Sequence, residues 1–132
     1  AAELGMSDTT YVNSHGLPSE GQLTTAMDSL KLAQALRKDF PQFFNMFGRL
    51  TTDAGSKRVR NANRHFLQTF SGAEGMKLSC SPELGCNMLA AANRGGTTIF
   101  AVVFGSSNYS GLYLVTSRLL ERSFNTLSIV DP

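Results

Sequence analysis

The sequence predicts an α+β fold, an α/β sandwich in which helices pack against an antiparallel sheet. Three observations predict it. The C-terminal third carries three short strand-like runs separated by turn residues, and segments with a helical spacing of apolar residues lie before and after them. The third run, Thr97–Phe104, is apolar nearly throughout, as expected of a strand covered on both faces. At 132 residues, of which 42% are hydrophobic and 17% charged, the chain suits one globular domain.

The N-terminal segment is predicted to be a loop that follows the end of a helix. Residues "AAELGM" look like a last helical turn ending at Gly5, so we expect the chain to begin within a fold and any export signal to lie upstream. The next segment, "TYVNSHGLPSEGQ", is rich in turn-forming residues. His15 within it is expected to be a structural or solvent-exposed residue.

Two helices are predicted next. The first runs through "TTAMDSLKLAQALRKDF", where Thr25 can cap the helix, Asp28 can complement the free amides of its first turn, and Pro41 marks its end. The second lies in "PQFFNMFGRL" and ends at Gly48. Its large apolar side chains are expected to lie in the core: Phe43, Phe44, Met46 and Phe47.

The segment "TTDAGSKRVRNANRHFLQTF" mixes turn residues with short β-compatible pieces, and the pattern assigns it no definite elements. Its basic cluster, Lys57–Arg64, would suit a nucleic-acid site if stacking aromatic residues accompanied it, but only Phe66 follows. A net charge of +2 is also too small to indicate a polyanionic partner. We therefore interpret the cluster as a solvated charged loop rather than a phosphate-binding surface, and we expect no nucleic-acid partner.

Three strands are predicted in the C-terminal third, at Met76–Cys80, Cys86–Ala92 and Thr97–Phe104. The intervening segments "SPELG" and "NRGG" suit tight turns, which favours an antiparallel meander. Helices from the first half of the chain can cover the other face of the third strand, but the start of the chain within a helix and the doubly buried strand lead us to expect that a further segment or chain supplies part of the fold. No apolar run approaches the roughly 20 residues that would span a bilayer.

A final helix is predicted from about Tyr109 to Phe124, followed by a C-terminal tail of residues 125–132. Its apolar side chains are expected to face the core and its charged ones the solvent. The inward set is Leu112, Val115, Leu119, Leu120 and Phe124, and the outward set is Arg118, Glu121 and Arg122.

The residue pattern itself identifies no catalytic group. There is no Gly-x-Ser-x-Gly elbow and no Ser-x-x-Lys, and spacing gives neither His15 nor His65 an acid or base partner. His65 is expected to take part in hydrogen-bonded packing. The Gly-Gly of "NRGGTT" lacks the Lys-Ser/Thr of a phosphate-binding loop, and two cysteines without a further Cys or His pair do not make a zinc site. We therefore expect no metal and no cofactor.

Lys77 lies within a strand-like run, and two interpretations of it stay open. Because strand residues alternate between faces, Lys77 and Ser79 should share one face while Met76, Leu78 and Cys80 share the other. An ammonium and a hydroxyl on one face of an edge strand suit a carboxylate-ended peptide that lies alongside as an extra strand. Alternatively, Lys77 guards an exposed edge against aggregation.

Cys80 and Cys86 are six positions apart and flank the predicted turn. If the two strands form a hairpin, the thiols can lie opposite each other and form a disulfide, which would imply an oxidising compartment. In a reducing compartment they would instead be free and buried.

Five blocks, in their order and spacing, carry a resemblance to a known family. They are "AAELGMSDTTYVNSHGL", "TTAMDSLKLAQAL" with "DFPQFF", "NANRHFL", "GMKLSCSPELGCNMLAAANRGGTTIFAVVFG" and a helix ending "LLERSF". Together they resemble the second half of the catalytic domain of serine-type D-alanyl-D-alanine carboxypeptidases, the low-molecular-mass penicillin-binding proteins. The resemblance implies a partial β-lactamase/DD-peptidase-like fold over residues 1–124, with residues 125–132 as a tail.

The resemblance also assigns a site. The family's Ser-x-x-Lys and Ser-x-Asn lie upstream of the matched region, so this chain is expected to lack both and to hold no catalytic residue. The family's Lys-Thr-Gly falls on Lys77, Leu78 and Ser79, which become the candidate substrate-binding residues, with leucine in place of the hydroxyl residue and serine in place of the glycine. Family members often carry an arginine near Leu112, and leucine cannot pair with a terminal carboxylate.

The resemblance implies partners and a location as well. The expected ligand is a peptidoglycan peptide or a β-lactam, and the expected macromolecular partner is an upstream half of the same protein or a separate chain. The resemblance also implies a periplasmic or other extracytoplasmic location, where Cys80 and Cys86 are expected to be oxidised to a disulfide. The alternatives are a non-catalytic relative that binds cell-wall peptide or a protein partner, and a scaffold domain unrelated to peptidoglycan.

Overall fold

The structure, a computed structural model, describes residues 1–14 and 16–130, without the side chains of residues 129 and 130. The expectation for His15 and the last two residues of the predicted tail lie outside this description. The described residues form four α-helices: α1 (Ala26–Asp39), α2 (Pro41–Phe44), α3 (Arg64–Thr69) and α4 (Tyr109–Val130). None of them is long and apolar enough to cross a membrane.

Five strands form two antiparallel sheets. A hairpin joins β1 (Thr51–Ala54) to β2 (Lys57–Arg60) within the segment that the sequence pattern leaves unassigned. The larger sheet has the order β3-β4-β5, from β3 (Ala73–Ser81), β4 (Gly85–Arg94) and β5 (Thr97–Ser106). This arrangement confirms the predicted α+β class and the antiparallel meander. Each strand extends a few residues beyond its predicted bounds.

The larger sheet carries an apolar cluster on each face. Along β4, Met88 and Ala90 pack toward α3 and α4, whereas Leu89 and Ala91 pack toward α1 and α2. The first cluster also contains Phe66 from α3. Phe66, Leu112 and Leu120 are all fully buried in it. Helices therefore cover both faces of the sheet. This cover buries the apolar residues that the strands carry on both sides.

Helix α4 faces the sheet through a row with four-residue spacing. Its buried members are Leu112, Thr116, Leu120 and Phe124. Val115 and Leu119 were predicted to face the core, and this prediction is wrong because each is 46% exposed, in the row of the helix next to the buried one. The helix also extends to Val130, beyond the predicted end at Phe124, since residues 125–130 contain no glycine or proline to stop it. The proposed boundary between domain and tail thus falls inside this helix.

Helix α1 begins as predicted. The side chain of Thr25 accepts a hydrogen bond from the backbone amide of Asp28 at 3.1 Å, which satisfies one of the free donors of the first turn. The predicted second helix divides into α2 and a 3₁₀ turn at Asn45–Gly48. Of its four apolar residues, Phe44 is buried, but Phe43 and Met46 are 57% and 48% exposed, so the expectation that all four lie in the core is wrong.

Arg94, at the C-terminal end of β4, contacts Phe70 after α3 and two residues of α4. Its guanidinium lies 5.0 Å from the ring centre of Phe70 and 4.6 Å from that of Phe124, and it forms two hydrogen bonds to the carboxylate of Glu121. This pairing raises the pKa of Arg94 and lowers that of Glu121. The planar guanidinium of arginine suits this position, because it can stack on aromatic rings and form two parallel hydrogen bonds to a carboxylate at the same time.

Candidate functional site

Lys77 lies on β3, an edge strand of the larger sheet. Its register partner on β4 is Leu89, and Ser79 pairs in the same way with Asn87. Within the described chain, the other edge of β3 pairs with no strand. The Lys77 side chain is exposed and makes no hydrogen bond or ion pair with any described residue. An unpaired cation thus lies beside a strand edge that is free to accept another strand.

A groove of about 360 Å³ separates this edge of the sheet from α1. Lys77 and Ser79 line it from β3, and Leu32 and Leu36 line it from α1. The wall is completed by Tyr11, Thr24, Ser29, Phe47, Met76, Asn87, Met88, Leu89 and Phe104. The groove is therefore mainly apolar, with one cation and several hydroxyl groups at its surface.

Met76 departs from the predicted alternation. It was expected on the same face as Leu78, yet it packs with Ala33 and Phe44 on the α1 side. The register shifts between Ala73 and Gly75, and such an irregularity re-aims the side chains next to it. At Gly75 the backbone has φ +134°, and a Cβ would lie 2.6 Å from the Cβ of Phe47, so this position requires glycine.

Leu78 and Leu112 contribute nothing polar to the groove. Leu78 is half-buried and packs against the cluster on the α4 side, so it points away from Lys77 across the sheet. Leu112 is fully buried in that same cluster. Of the three candidate substrate-binding residues, the structure thus brings Lys77 and Ser79 to the groove and turns Leu78 toward the core.

The outer wall of the groove is fixed by Asp28. Its carboxylate is 2% exposed and accepts hydrogen bonds from the amide of Asp8 at 2.9 Å and the hydroxyl of Thr9 at 2.8 Å, while Lys31 forms an ion pair with it at 2.9 Å. The ammonium of Lys31 also reaches the carbonyl of Gly5. The hydrogen bond from Lys31 is the main reason that the pKa of Asp28 is lowered. This network holds the segment that carries Tyr11 against α1.

The far end of the groove is fixed by the tip of the β3–β4 hairpin. Cys80 and Cys86 are register partners and form a disulfide. The side chain of Asn87 accepts a hydrogen bond from the amide of Gly105 at 2.9 Å, which ties the hairpin to β5. Ser79 therefore lies between a covalent cross-link and a cross-strand hydrogen bond.

The histidine and the Ser-x-Asn tripeptides lie elsewhere. His65 packs on Tyr113 with ring centres 4.9 Å apart, on the α4 side of the sheet. The expectation that the chain lacks Ser-x-Asn is literally wrong, because Ser106–Asn108 and Ser123–Asn125 match it. Neither lines the groove: the Ser106 hydroxyl donates to the Asn108 carbonyl, and Ser123 donates to a carbonyl within its own helix. Among the described residues, no group of three or more His, Cys, Asp or Glu side chains could hold a metal ion.

Sequence reasoning missed most of the groove. Tyr11, Leu32 and Phe104 come from three distant segments, and nothing in their local spacing says that they meet at one surface. Asp28 was recognised only as a helix-start residue, although its burial and its bonds to residues 8 and 9 make it the anchor of a wall. One signal in the sequence could have indicated this role of Asp28. It is a carboxylate in the first turn of a helix that Thr25 already caps, and the preceding loop is rich in hydroxyl groups that could bond to it.

Comparison with known proteins gives a consistent result. A family model described as D-alanyl-D-alanine carboxypeptidase matches residues 1–108. Among curated proteins, the D-alanyl-D-alanine carboxypeptidase DacC of Escherichia coli is 29% identical over 132 residues, which cover all of this chain and 33% of the relative. The chain thus spans about a third of the length of this relative.

Two solved structures show the same fold. Penicillin-binding protein 5 of Haemophilus influenzae superposes with a TM-score of 0.85 at 23% identity, over 94% of this chain and 36% of that one. Penicillin-binding protein 6B of Escherichia coli gives a TM-score of 0.84 at 26% identity, over 91% of this chain and 38% of that one. In both, the matched region is part of a larger fold.

Proposed function

This chain belongs to the D-alanyl-D-alanine carboxypeptidase family, and from that premise we propose that it is part of a penicillin-binding, carboxypeptidase-like protein that acts on peptidoglycan stem peptides. Its own contribution is to hold the peptide, and the nucleophile comes from a segment upstream of residue 1. The observation that carries the proposal is the exposed, unpaired ammonium of Lys77 at the rim of an apolar groove and beside a free strand edge.

Lys77 and the edge of β3 supply two complementary interactions for a peptide. The unpaired backbone groups of the edge can accept an extended segment as an added strand, which provides main-chain hydrogen bonds. The ammonium can then pair with the terminal carboxylate, and Ser79 on the same face offers a hydroxyl. Charge-assisted hydrogen bonds of this kind are about twice as strong as neutral ones.

The groove of this chain binds but does not cleave. Its wall contains the Lys77 ammonium and hydroxyl groups, but no histidine or carboxylate among the described residues that line it. Without a base within hydrogen-bond reach, the hydroxyls of Thr24, Ser29 and Ser79 are poor nucleophiles at neutral pH. Peptide hydrolysis therefore requires an activated serine from outside this chain.

A second candidate function is a non-catalytic relative that binds cell-wall peptide or a protein partner. Leu78 favours it, because a leucine that packs in the core cannot donate the hydrogen bond that a hydroxyl at this position would offer a carboxylate. The burial of Leu112 favours it for the same reason. Losing one such charged hydrogen bond weakens binding by about 2 kcal/mol.

Labelling with a fluorescent penicillin separates the two candidates. The experiment uses the protein together with its upstream segment, because a covalent adduct requires an activated serine. An adduct supports the carboxypeptidase-like function. No adduct, combined with binding of a peptide that ends in D-alanyl-D-alanine, supports the non-catalytic relative. The absence of both adduct and peptide binding contradicts the carboxypeptidase-like function and also contradicts peptide binding by a non-catalytic relative.

Lys77→Ala tests where the peptide binds. In isothermal titration with a D-alanyl-D-alanine peptide, we expect the affinity to fall at least about tenfold, since an ion-paired hydrogen bond to the carboxylate is lost. Amidation of the peptide's C-terminus should have the same effect on the wild type and little further effect on the variant. Lys38→Ala, at the exposed end of α1, is the matched control. An unchanged affinity in Lys77→Ala would refute the assignment.

We further propose an extracytoplasmic location, periplasmic where the cell has an outer membrane. It is supported by the family membership and by the Cys80–Cys86 disulfide, since such bonds persist in oxidising compartments. The intact mass of protein isolated from cells, alkylated without reductant, tests it. Two alkylated cysteines would contradict it.

A further inference from the structure

The Cys80–Cys86 disulfide adjoins a pair of residues that line the peptide groove. Cys80 follows Ser79 on β3 and Cys86 precedes Asn87 on β4, and Ser79 and Asn87 are register partners that both line the groove. We call residues 79–87, which the disulfide crosses, the hairpin tip. A change in the disulfide therefore acts directly on one end of the groove.

The hairpin tip is weakly attached to the rest of the sheet. The pairing of β4 with β5 is interrupted by a register shift between Cys86 and Met88, and beyond this shift Cys86 is the one described residue of β4 that pairs with β5, opposite Ser106. Asn87 adds one hydrogen bond from the amide of Gly105. Among the described strands, β3 pairs with β4 alone. A two-stranded hairpin with so little support from a third strand is marginally stable in water.

The two cysteines lie in different surroundings. Cys80 is exposed on the edge strand, whereas Cys86 is 6% exposed and belongs to the cluster on the α4 side. The covalent bond thus ties the edge strand to a residue that the core holds in place. Exposed disulfides are open to attack by a thiolate and are the labile ones among protein disulfides.

We propose that this disulfide is a redox switch of the peptide groove, whose reduction opens the hairpin tip and lowers the affinity for the peptide. The inference rests on the proposed function, because the ligand is the same peptide. Without the cross-link, the part of β3 beyond Lys77 is held by its pairing with β4, so its edge spends part of the time in open conformations that cannot add the peptide as a strand. The oxidised form, with an ordered edge, is the form that binds.

The reductant is a dithiol, and its reaction with the disulfide is a thiol–disulfide exchange. One thiolate of the reductant attacks Sγ of Cys80, the S–S bond breaks, and Cys86 leaves as a thiolate that takes up a proton. The second thiol of the reductant then attacks the mixed disulfide and releases Cys80. The protein gains two electrons and two protons, and the dithiol becomes a disulfide. In the oxidising compartment proposed above, the disulfide form is the resting state, and a dithiol carrier delivers the reducing equivalents.

Isothermal titration with a D-alanyl-D-alanine peptide, before and after treatment with dithiothreitol, tests the switch in protein that includes its upstream segment. Reduction should weaken binding about fivefold to tenfold, because the peptide binds the fraction of molecules in which the tip is closed. The double variant Cys80→Ser with Cys86→Ser should bind as weakly as the reduced wild type and should not respond to dithiothreitol. Reoxidation of the wild type should restore its affinity.

Leu120→Val is the control for a general loss of stability. Leu120 is fully buried next to Glu121, which pairs with Arg94 at the other end of β4. This variant should be less stable than the wild type but bind the peptide equally well. Hydrogen exchange without peptide gives a second readout. Reduction should speed the exchange of amides in residues 79–87 about tenfold and leave residues 97–103 of β5 unchanged.

Each contrary result has a definite meaning. Equal affinity of the oxidised and reduced wild type overturns the switch and leaves the proposed function in place. A response of the double cysteine variant to dithiothreitol, or an equal loss of affinity in Leu120→Val, also overturns it, because the cause would then lie outside the disulfide. Unchanged hydrogen exchange in residues 79–87 would refute the opening of the tip. Failure of the oxidised wild type to bind the peptide contradicts the proposed function, and the switch with it.

Discussion

The two faces of the larger sheet differ in how completely the described chain covers them. The cluster on the α4 side contains ten buried residues, drawn from α3, α4 and the sheet, whereas the cluster on the α1 side contains four. On the α4 side, the buried residues of α4, from Leu112 to Phe124, pack against the strands of the sheet. On the α1 side, packing stops short of Lys77 and Ser79, and the groove begins.

The difference teaches how this chain divides its tasks. A face packed with fully buried side chains supplies most of the hydrophobic stabilisation, because that stabilisation grows with the apolar area removed from water. A face left partly open contributes less to stability but offers surface to a ligand. Substitutions on the α4 face should therefore mainly change stability, and substitutions beside the groove should mainly change binding.

The largest expected effect is on the closed face. Leu120→Ala should lower the free energy of unfolding by about 3 kcal/mol, since Leu120 is fully buried and its removal leaves a cavity. Leu119→Ala is the matched control: the same change one residue earlier on α4, at a side chain 46% exposed, should cost less than about 1 kcal/mol. Urea unfolding followed by circular dichroism measures both. Similar costs for the two variants would mean that the row facing the sheet is wrongly assigned.

The next largest effect concerns the cross-link beside the groove. The Cys80–Cys86 disulfide closes a short loop with a sequence separation of six, so the double variant Cys80→Ser with Cys86→Ser should be less stable by about 2 kcal/mol. Treatment of the wild type with reductant should reproduce this loss and leave the double variant unchanged. A reductant effect on the double variant would show that the loss has another cause.

Local patterns predicted the elements, and the structure confirms most of them. The cap at Thr25, the meander of β3 to β5 and the final helix all depend on neighbours within a few residues, so their signals are complete in the sequence. Five separated blocks also sufficed to identify the family. The candidate Lys77 lies at the groove, although no spacing showed that a groove existed.

What the sequence could not predict depends on contacts between distant segments. Helical spacing allowed either of two adjacent rows of α4 to face the core, and the sheet selects the row of Leu120 over that of Leu119. Strand alternation fails at Met76, which packs on the α1 side next to Gly75, where the close approach of Phe47 leaves no room for a side chain. The walls of the groove meet only after folding, so no single stretch of sequence records them.

A smaller effect is expected at the outer wall of the groove. Asp28→Asn should lower the melting temperature at pH 7, because an amide cannot pair with the Lys31 ammonium and accepts its hydrogen bonds more weakly than a carboxylate does. The pKa of Asp28 is lowered in the folded state, so its charge stabilises the fold above the ordinary carboxyl pKa, and this contribution is lost as the pH falls through the lowered pKa.

The difference in melting temperature between wild type and Asp28→Asn should thus be constant near neutral pH and shrink below about pH 4. The Arg94–Glu121 pair also loses strength in acid, but it is common to both proteins and cancels in the difference. A difference that persists at pH 2 would show that the carboxylate charge is not what stabilises this wall.

The smallest effect on stability should come from Lys77 itself. Lys77→Met keeps a long side chain, removes the charge and breaks no hydrogen bond or ion pair within the described residues, so the free energy of unfolding should change by less than about 0.5 kcal/mol. Light scattering at rising protein concentration then separates the two interpretations of this lysine. If Lys77 only guards the edge of β3, the methionine variant self-associates more than the wild type does, since an uncharged edge pairs with other edges. If it holds a carboxylate, the variant stays monomeric and loses affinity for the peptide. A large loss of stability in Lys77→Met would contradict both, because it would mean that the open face contributes to the core after all.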